Sequence, residues 1–88
     1  MDEKIKVDII ASGNLKSICG FEREIIMVPQ NCREAFEYVL IWLNENYKVA
    51  PSSVYLMLND KSVKDKSFLG QTIKPGDVFM VLPLLSGG

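Results

Sequence analysis

The residues most suited to take part in a reaction lie at the carboxyl end, where Ser86 is followed by Gly87 and Gly88. Two residues without a Cβ atom can enter a narrow channel in which any side chain would clash. A carboxylate is a poor electrophile, so it must be activated before a nucleophile attacks it. Adenylation by ATP on a second enzyme is the simplest activation, and sulfur or an amine can then displace AMP. The pattern predicts a reactive carboxylate at Gly88.

The rest of the sequence offers no comparable group. It contains no histidine, and therefore neither an imidazole base nor a Ser/His/Asp set. Cys19 and Cys32 are too far apart in sequence for a CxxC pair, and without histidine no zinc set is plausible. We expect both cysteines to be ordinary buried or half-buried thiols. No metal site is expected.

The composition limits the possible partners. The chain has 88 residues, 48% apolar and 24% charged, which is typical of one folded domain. A formal net charge of -1 leaves no basic surface for a phosphate backbone. No apolar run reaches the length of a signal-peptide core or a membrane span. We therefore expect a cytoplasmic protein that binds neither nucleic acid nor a membrane.

The first third of the chain predicts two strands. Residues 5–9 alternate between apolar and polar side chains, which is typical of a strand with one solvated face. Residues 21–28 predict a second strand that ends at Pro29. The connection over residues 15–20 has room for a short helical turn. The two strands should pair as a loose hairpin.

The strongest helix signal begins at Asn31, with Glu34 three residues later in capping-box spacing. The apolar residues that follow recur at helical spacing and predict one face packed on a core. They are Phe36, Val39, Leu40, Leu43 and Tyr47. Ile41 and Trp42 are expected to broaden this stripe, with Trp42 closing the edge of the core. Pro51 ends any continuation of the helix.

The second half predicts a third strand over residues 54–58, a turn at 59–60 and a short edge strand at 61–63. A turn at residues 75–77 precedes the apolar run 78–82, which is typical of a central strand.

An irregular charged connection over residues 64–72 separates the last two strands. The element order therefore predicts an α+β fold, the ubiquitin-like β-grasp, with one main helix across a mixed four- to five-stranded sheet. The first and last strands should be parallel neighbours at its centre. We expect a β-grasp domain over residues 1–84 and a flexible Gly-Gly tail over residues 85–88.

The tail resembles that of the MoaD/ThiS sulfur carriers, whose terminal motif has the form D-G-D-x-V-x-x-x-P-P-V-S/A-G-G. Residues 75–88 follow this motif in register, with Phe79 as an apolar match to the family's valine. The positions that agree are Gly76, Asp77, Phe79, Pro83, Ser86, Gly87 and Gly88. Upstream, Leu58 and Asn59 followed by Val63 look like the family's V-N-x-x-x-V hairpin. Ala11 and Gly20 bracket a loop similar to the one that follows its first strand.

Three positions depart from the family pattern. Leu84 replaces the second proline, Pro75 replaces the first aspartate, and Lys16 stands where arginine is frequent in the molybdopterin branch. These departures affect the subfamily more than the class. Pro83 makes the chain more similar to the small subunit of molybdopterin synthase than to the thiamine-pathway carrier.

The resemblance implies a mechanism that runs through Gly88. An E1-like adenylating enzyme would adenylate its carboxylate, a persulfide sulfur donor would replace AMP, and a thiocarboxylate would result. The tail would then enter a larger molybdopterin synthase subunit, where sulfur passes to a pterin precursor. The chain would be a carrier and not an enzyme, with no cofactor bound and ATP held by the activating enzyme. Leu85, Ser86, Gly87 and Pro83 would contact these partners.

Other functions remain open at this point. A ubiquitin-like protein modifier would join the same activated Gly88 to lysines. A β-grasp interaction domain would leave the terminal glycines idle. A carrier for thiamine or another sulfur-containing metabolite is the nearest alternative within the class.

The strand alternation also predicts a partner surface. A mean hydropathy of +0.11 implies more apolar side chains than one small core can bury. If Val7, Ile9, Phe79 and Val81 face the helix, then Ile10, Met80 and Leu82 turn to the uncovered face of the sheet. These three side chains should form an apolar patch that leads to the tail.

Overall fold

The computed structural model describes residues 4–13, 15–62 and 70–84. The strands in this part of the chain are β1 (Lys4–Ala11), β2 (Arg23–Pro29), β3 (Val54–Leu58), β4 (Lys61–Ser62) and β5 (Val78–Pro83). The helices are α1 (Leu15–Cys19), α2 (Cys32–Tyr47) and a 3-10 turn at Pro51–Ser53. The strands form one five-stranded sheet in the order β2-β1-β5-β3-β4, and α2 is the main helix. The predicted α+β architecture is confirmed.

β1 organises the sheet because it pairs antiparallel with β2 and parallel with β5. Its odd-numbered residues from Ile5 to Ala11 are buried, whereas its even-numbered residues are exposed or half-buried. Ile9 and Phe79 are direct partners in the β1–β5 register, and both have 0% exposure. Burying such side chains contributes about 1.5 to 3 kcal/mol each. The predicted parallel pair is therefore the centre of the core.

The second strand begins at Arg23, so the prediction of a start at residue 21 was wrong. The ring of Phe21 packs instead against two aromatic side chains of α2. Its centroid lies 5.7 Å from that of Trp42 and 4.7 Å from that of Tyr47. The hydroxyl of Tyr47 donates to Glu24 Oε1 at 3.2 Å. Trp42 therefore closes the edge of the core, as predicted.

α2 begins as the sequence predicts, since the Oδ1 of Asn31 accepts the N–H of Glu34 at 3.0 Å. The fully buried positions of the helix are Cys32, Ala35, Val39 and Leu43, with Phe36, Leu40, Trp42 and Tyr47 packed around them. Ile41 does not belong to this stripe, because 56% of it is exposed. Successive residues of an α-helix are about 100° apart around its axis, so Ile41 lies on nearly the opposite side of the helix from Val39. The helix ends at Tyr47 and is capped by Lys48, whose φ of 59° places it in the left-handed region.

The hairpin after β3 turns through Asn59 and Asp60, whose φ angles are 50° and 68°. Both values lie in the left-handed region that a tight primed turn requires. Val63 of the predicted edge strand lies outside the described residues, as do residues 64–69 of the predicted connection. Ile73, the residue that follows this predicted connection, is buried in the core.

Candidate functional site

β5 leads the chain toward its carboxyl end from the centre of the sheet. The N–H of Ser12 donates to the carbonyl of Val81 at 2.9 Å on one side of this strand. On the other side, the N–H of Leu84 donates to the carbonyl of Ser53 at 3.0 Å. Leu84 is the last described residue, and 48% of it is exposed. The direction in which the chain leaves the sheet is thus fixed by hydrogen bonds from two neighbouring segments.

Leu85, Ser86, Gly87 and Gly88, the candidate site residues beyond this point, lie outside the described residues. The domain boundary at residue 84 and the reactive carboxylate therefore stay predictions.

Hydrogen bonds between the turn at Asn59 and the turn at Asp77, which we call the clamp, fix the position of the first residues of β5. The turn before it uses Gly76, whose φ of 89° favours glycine, and its N–H donates to the carbonyl of Lys6 at 3.1 Å. Asp77 Oδ2 accepts the N–H of Lys74 at 2.9 Å, and Asp77 Oδ1 accepts Asn59 Nδ2 at 3.1 Å. Asn59 Oδ1 in turn accepts the N–H of Val78 at 3.0 Å. The family-like asparagine and aspartate thus join two turns and position β5.

Pro83 ends β5 and contacts the loop after β1. It is the register partner of Val54, the first residue of β3. A Cβ on Gly13 would lie 3.7 Å from the Pro83 ring, so the two residues are close neighbours. Gly13 has a φ of 62°, which favours glycine at this position. The loop after β1 therefore lies beside the exit of the chain.

The predicted patch residues lie on one face of the sheet. Ile10 and Met80 are direct partners across the β1–β5 pairing, and Leu82 is the next residue along β5 on the same face. All three are half-buried. We call this surface, together with Tyr55 and Met57 of β3, the outer apolar face.

Tyr55 and Met57 were missed by sequence reasoning. Tyr55 pairs with Leu82 and Met57 pairs with Met80, so both belong to the same face. Alternation within β3 was the available signal, but using it required the β3–β5 register, which comes from tertiary structure. The outer apolar face is therefore broader than the predicted patch.

Charged side chains border this face on the β1–β2 side. Arg23 forms an ion pair with Asp8, whose side chain is only 17% exposed. Lys16, which lies on α1 and not in a loop, has its Nζ 3.2 Å from Glu22 Oε1 at a solvent-exposed site. An open groove of about 610 Å³ runs between Ile10, Phe21, Glu22 and Arg23. A partner on the outer apolar face would meet Arg23 at its margin.

A second groove lies at the exit of the chain, between α2 and β3. It has a volume of about 210 Å³. Its lining is mostly apolar and consists of Phe36, Leu40, Pro51, Val54, Tyr55, Leu56 and Leu84. Because Leu84 is part of this lining, the exit is flanked by apolar surface on the sheet side and on the helix side.

The two cysteines have the properties of core residues. Cys19 and Cys32 are free and buried, with exposures of 5% and 0%. Burial raises the pKa of the Cys19 thiol. Burial also raises the pKa of the Cys32 thiol, and the charge of Asp77 adds to the effect. Both thiols thus favour the neutral form, which is a weak nucleophile.

Within residues 4–13, 15–62 and 70–84, no group of three or more Asp, Glu, Cys or His side chains could hold a metal ion. No helix there is long and apolar enough to cross a membrane.

The topology, with α2 on a mixed sheet and parallel β1 and β5 in its interior, defines a ubiquitin-like β-grasp. Solved structures share it. Small archaeal modifier protein 1 from Methanosarcina acetivorans superposes with a TM-score of 0.70 at 16% identity, over 98% of this chain and 99% of that one. Molybdopterin converting factor subunit 1 from Pyrococcus furiosus gives 0.69 at 17% identity, over 92% and 99%. Ubiquitin from Caldiarchaeum subterraneum gives 0.67 at 20% identity, over 98% and 100%.

No family model and no curated protein matches the sequence. At these identities the structural similarity establishes the fold. The resemblance to the MoaD/ThiS carriers is therefore confirmed for the fold alone, since a molybdopterin converting factor subunit is among the similar structures.

Proposed function

We propose that this chain is a sulfur carrier whose Gly88 carboxylate is adenylated, converted to a thiocarboxylate and used as a sulfur donor. The donated sulfur is used in molybdopterin biosynthesis, in which the chain acts as the small subunit of the synthase. One observation carries the proposal. The strand that precedes the family-like Ser86-Gly87-Gly88 tail is a central strand of a β-grasp, and it leaves the sheet beside the outer apolar face.

Conversion of the Gly88 carboxylate to a thiocarboxylate takes three steps. The Gly88 carboxylate attacks the α-phosphorus of ATP, which forms an acyl adenylate and releases pyrophosphate. The terminal sulfur of a persulfide then attacks the acyl carbon and expels AMP, which leaves an acyl disulfide. A second thiol reduces this disulfide, so that the chain keeps one sulfur as a thiocarboxylate and the donor leaves as a disulfide. The carrier supplies the carbonyl group, and its partners supply ATP, sulfur and the catalytic side chains.

The carrier's own residues serve docking and presentation. Ile10, Met80 and Leu82 bind the E1-like adenylating enzyme and, in a later complex, the larger synthase subunit. Because both partners use this one surface, their binding is mutually exclusive, and the carrier must dissociate between sulfur loading and sulfur delivery. Pro83 and the tail residues 85–87 contact the channels that lead to each active site. We place these steps in the cytoplasm and assign no cofactor to the chain itself.

A second candidate is supported by the names of two similar structures, an archaeal modifier protein and a ubiquitin. In a modifier, a lysine amine would finally take the Gly88 acyl group and form an isopeptide bond. The adenylation step is common to both functions. The two therefore differ in the final nucleophile and not in the fold.

The test is a reconstitution with a cognate activating enzyme, ATP and a persulfide donor, followed by intact-mass measurement. A carrier gains the mass difference between one sulfur and one oxygen atom. A variant that lacks Gly87 and Gly88 is the control and should stay unchanged. An unchanged wild-type mass, with an activating enzyme that is active on another carrier, would contradict the proposal. Lysine conjugates without free thiocarboxylate would favour the modifier.

A further inference from the structure

β2 lies at the edge of the sheet, and its outward backbone groups face no strand in the described part of the chain. The N–H of Ala11 donates to the carbonyl of Glu22 at 3.0 Å, which fixes the alternation of hydrogen bonds between β1 and β2. In this register Arg23, Ile25 and Met27 occupy the positions that do not bond to β1. Their N–H and C=O groups therefore point away from the sheet.

The same stretch also exposes apolar side chains. Ile25 is 57% exposed and Met27 is 46% exposed. Edge strands in soluble proteins are usually protected by charges, proline or bulges. Here the charges are confined to Arg23 and Glu24 at one end, and Pro29, which has no N–H to donate, stands at the other. An open edge about 14 Å long remains between Arg23 and Met27.

We propose that this edge pairs antiparallel with β2 of a second copy of the chain, with Ile25 opposite Ile25. Arg23 then lies opposite Met27 of the second copy, and each of these pairs can exchange both backbone hydrogen bonds. The outward N–H and C=O groups of all three residues, Arg23, Ile25 and Met27, thereby gain hydrogen-bond partners in both copies. The two sheets become one continuous sheet across a twofold axis.

Charge and proline select this register over its neighbours. A shift of two residues one way sets Glu24 against Glu24, and like charges directly opposite each other are unfavourable. A shift of two residues the other way sets Arg23 against Pro29, which cannot donate a hydrogen bond. The strand is therefore complementary to itself in one arrangement. This property points to a second copy and not to an unrelated peptide.

The size of the edge sets the strength of the dimer. Pairing over about 14 Å of strand buries less than the roughly 1,200 Å² of a standard interface, so the dimer is weak and reversible. The formal net charge of -1 adds little repulsion between copies. β1 separates the paired edge from β5, so the outer apolar face and the exit of the chain stay accessible in both copies.

Sedimentation velocity over roughly 10 μM to 1 mM protein tests the proposal. The wild-type sedimentation coefficient should rise toward that of a dimer with concentration. Ile25→Lys should stay monomeric, because it places two ammonium groups opposite each other at the twofold axis. Ile41→Lys is the matched control, since Ile41 is 56% exposed and lies on α2, away from the edge. It should dimerise like the wild type.

Amide hydrogen exchange of the wild-type protein gives a second measurement that needs no variant. The amides of Ile25 and Met27 should become more protected as concentration rises, and the amide of Ile41 should not change. A wild-type protein that is monomeric up to roughly 1 mM, or a dimer in which these two amides gain no protection, overturns the proposal. Equal loss of dimer in Ile25→Lys and Ile41→Lys also overturns it.

Discussion

The side-chain amide of Asn59 donates to the carboxylate of Asp77 over 3.1 Å, although 18 positions separate the two residues in the chain. This bond ties the β3–β4 turn to the turn that starts β5. Asn59 also accepts the N–H of Val78, so one side chain pairs with both a side chain and the backbone of the other turn. The position of β5, and with it the exit of the chain, depends on this clamp.

Asn59→Gly should lower the free energy of unfolding by about 1 to 2 kcal/mol, because it removes both hydrogen bonds while tolerating the φ of 50°. Asn59→Ala should cost about 1 kcal/mol more, since alanine is strained in the left-handed region. Urea unfolding of the two variants measures both effects. If Ala and Gly are equally destabilising, the backbone part of this explanation is wrong. If neither is destabilising, the clamp does not stabilise the fold.

Leu82→Glu should leave the fold intact and weaken binding to the activating enzyme and to the larger synthase subunit by roughly tenfold or more. The reason is that a carboxylate within the outer apolar face would be desolvated when a partner binds. Ile41→Glu is the control, since it adds the same charge on α2. Binding is measured by titration calorimetry and folding by circular dichroism. Unchanged affinity for both partners, or an unfolded variant, would show that the assignment of this face is wrong.

Trp42→Ala should destabilise the fold by about 2 to 3 kcal/mol, because it removes the half-buried ring that packs edge-on against Phe21 and Tyr47. Ile41→Ala, one position earlier, should change stability by less than about 0.5 kcal/mol. Thermal or urea unfolding distinguishes the two. Similar losses at both positions would contradict the observed orientation of α2.

The stability of the fold should decline at alkaline pH, because burial raises the pKa of the Cys32 thiol above its ordinary value of 9.0. The folded state therefore holds this proton more tightly than the unfolded state. Its contribution is fully present below about pH 9 and is lost as the pH rises through the raised pKa. Cys32→Ala should show a shallower decline in urea stability above pH 9, although Cys19 still contributes. An unchanged slope would contradict this assignment.

Local signals in the sequence were sufficient for much of the fold. Asn31 begins α2 because its side chain caps a helix within three residues, and Asn59 and Asp60 form a tight turn. The parallel pairing of the first and last strands followed from the order of elements and the two-layer rule. These features depend on short-range chemistry or on topology, so one sequence can predict them.

Features that depend on distant contacts could not be predicted in the same way. Phe21 continues an apolar strand pattern, but its ring joins a cluster with α2, so the strand begins two residues later. Tyr55 joins the outer apolar face through a register set by β5. In both cases the partner lies far away in sequence. Ile41 is different, because its exposure follows from its angle around the helix, which the 100° spacing already gives.

The predicted candidate site has two parts, the apolar face and the Gly88 carboxylate, and the structure describes only the first. The positions of Ile10, Met80 and Leu82 follow from strand alternation and the parallel pairing, and the structure places them on one face. Their role in binding partners stays a prediction. The reactive role of Gly88 comes from the tail motif alone and is decided only by chemistry on that residue.

The most direct test of the central claim locates the added atom. After incubation with activating enzyme, ATP and a persulfide donor, tandem mass spectrometry of the carboxyl-terminal peptide should show one sulfur in place of one oxygen on Gly88. Cys19 and Cys32 should be unmodified, which excludes a persulfide on the thiols as the source of the mass change. Sulfur on either cysteine with an unchanged Gly88 carboxylate, or no sulfur at all while the activating enzyme is working, would contradict the proposal that Gly88 carries sulfur.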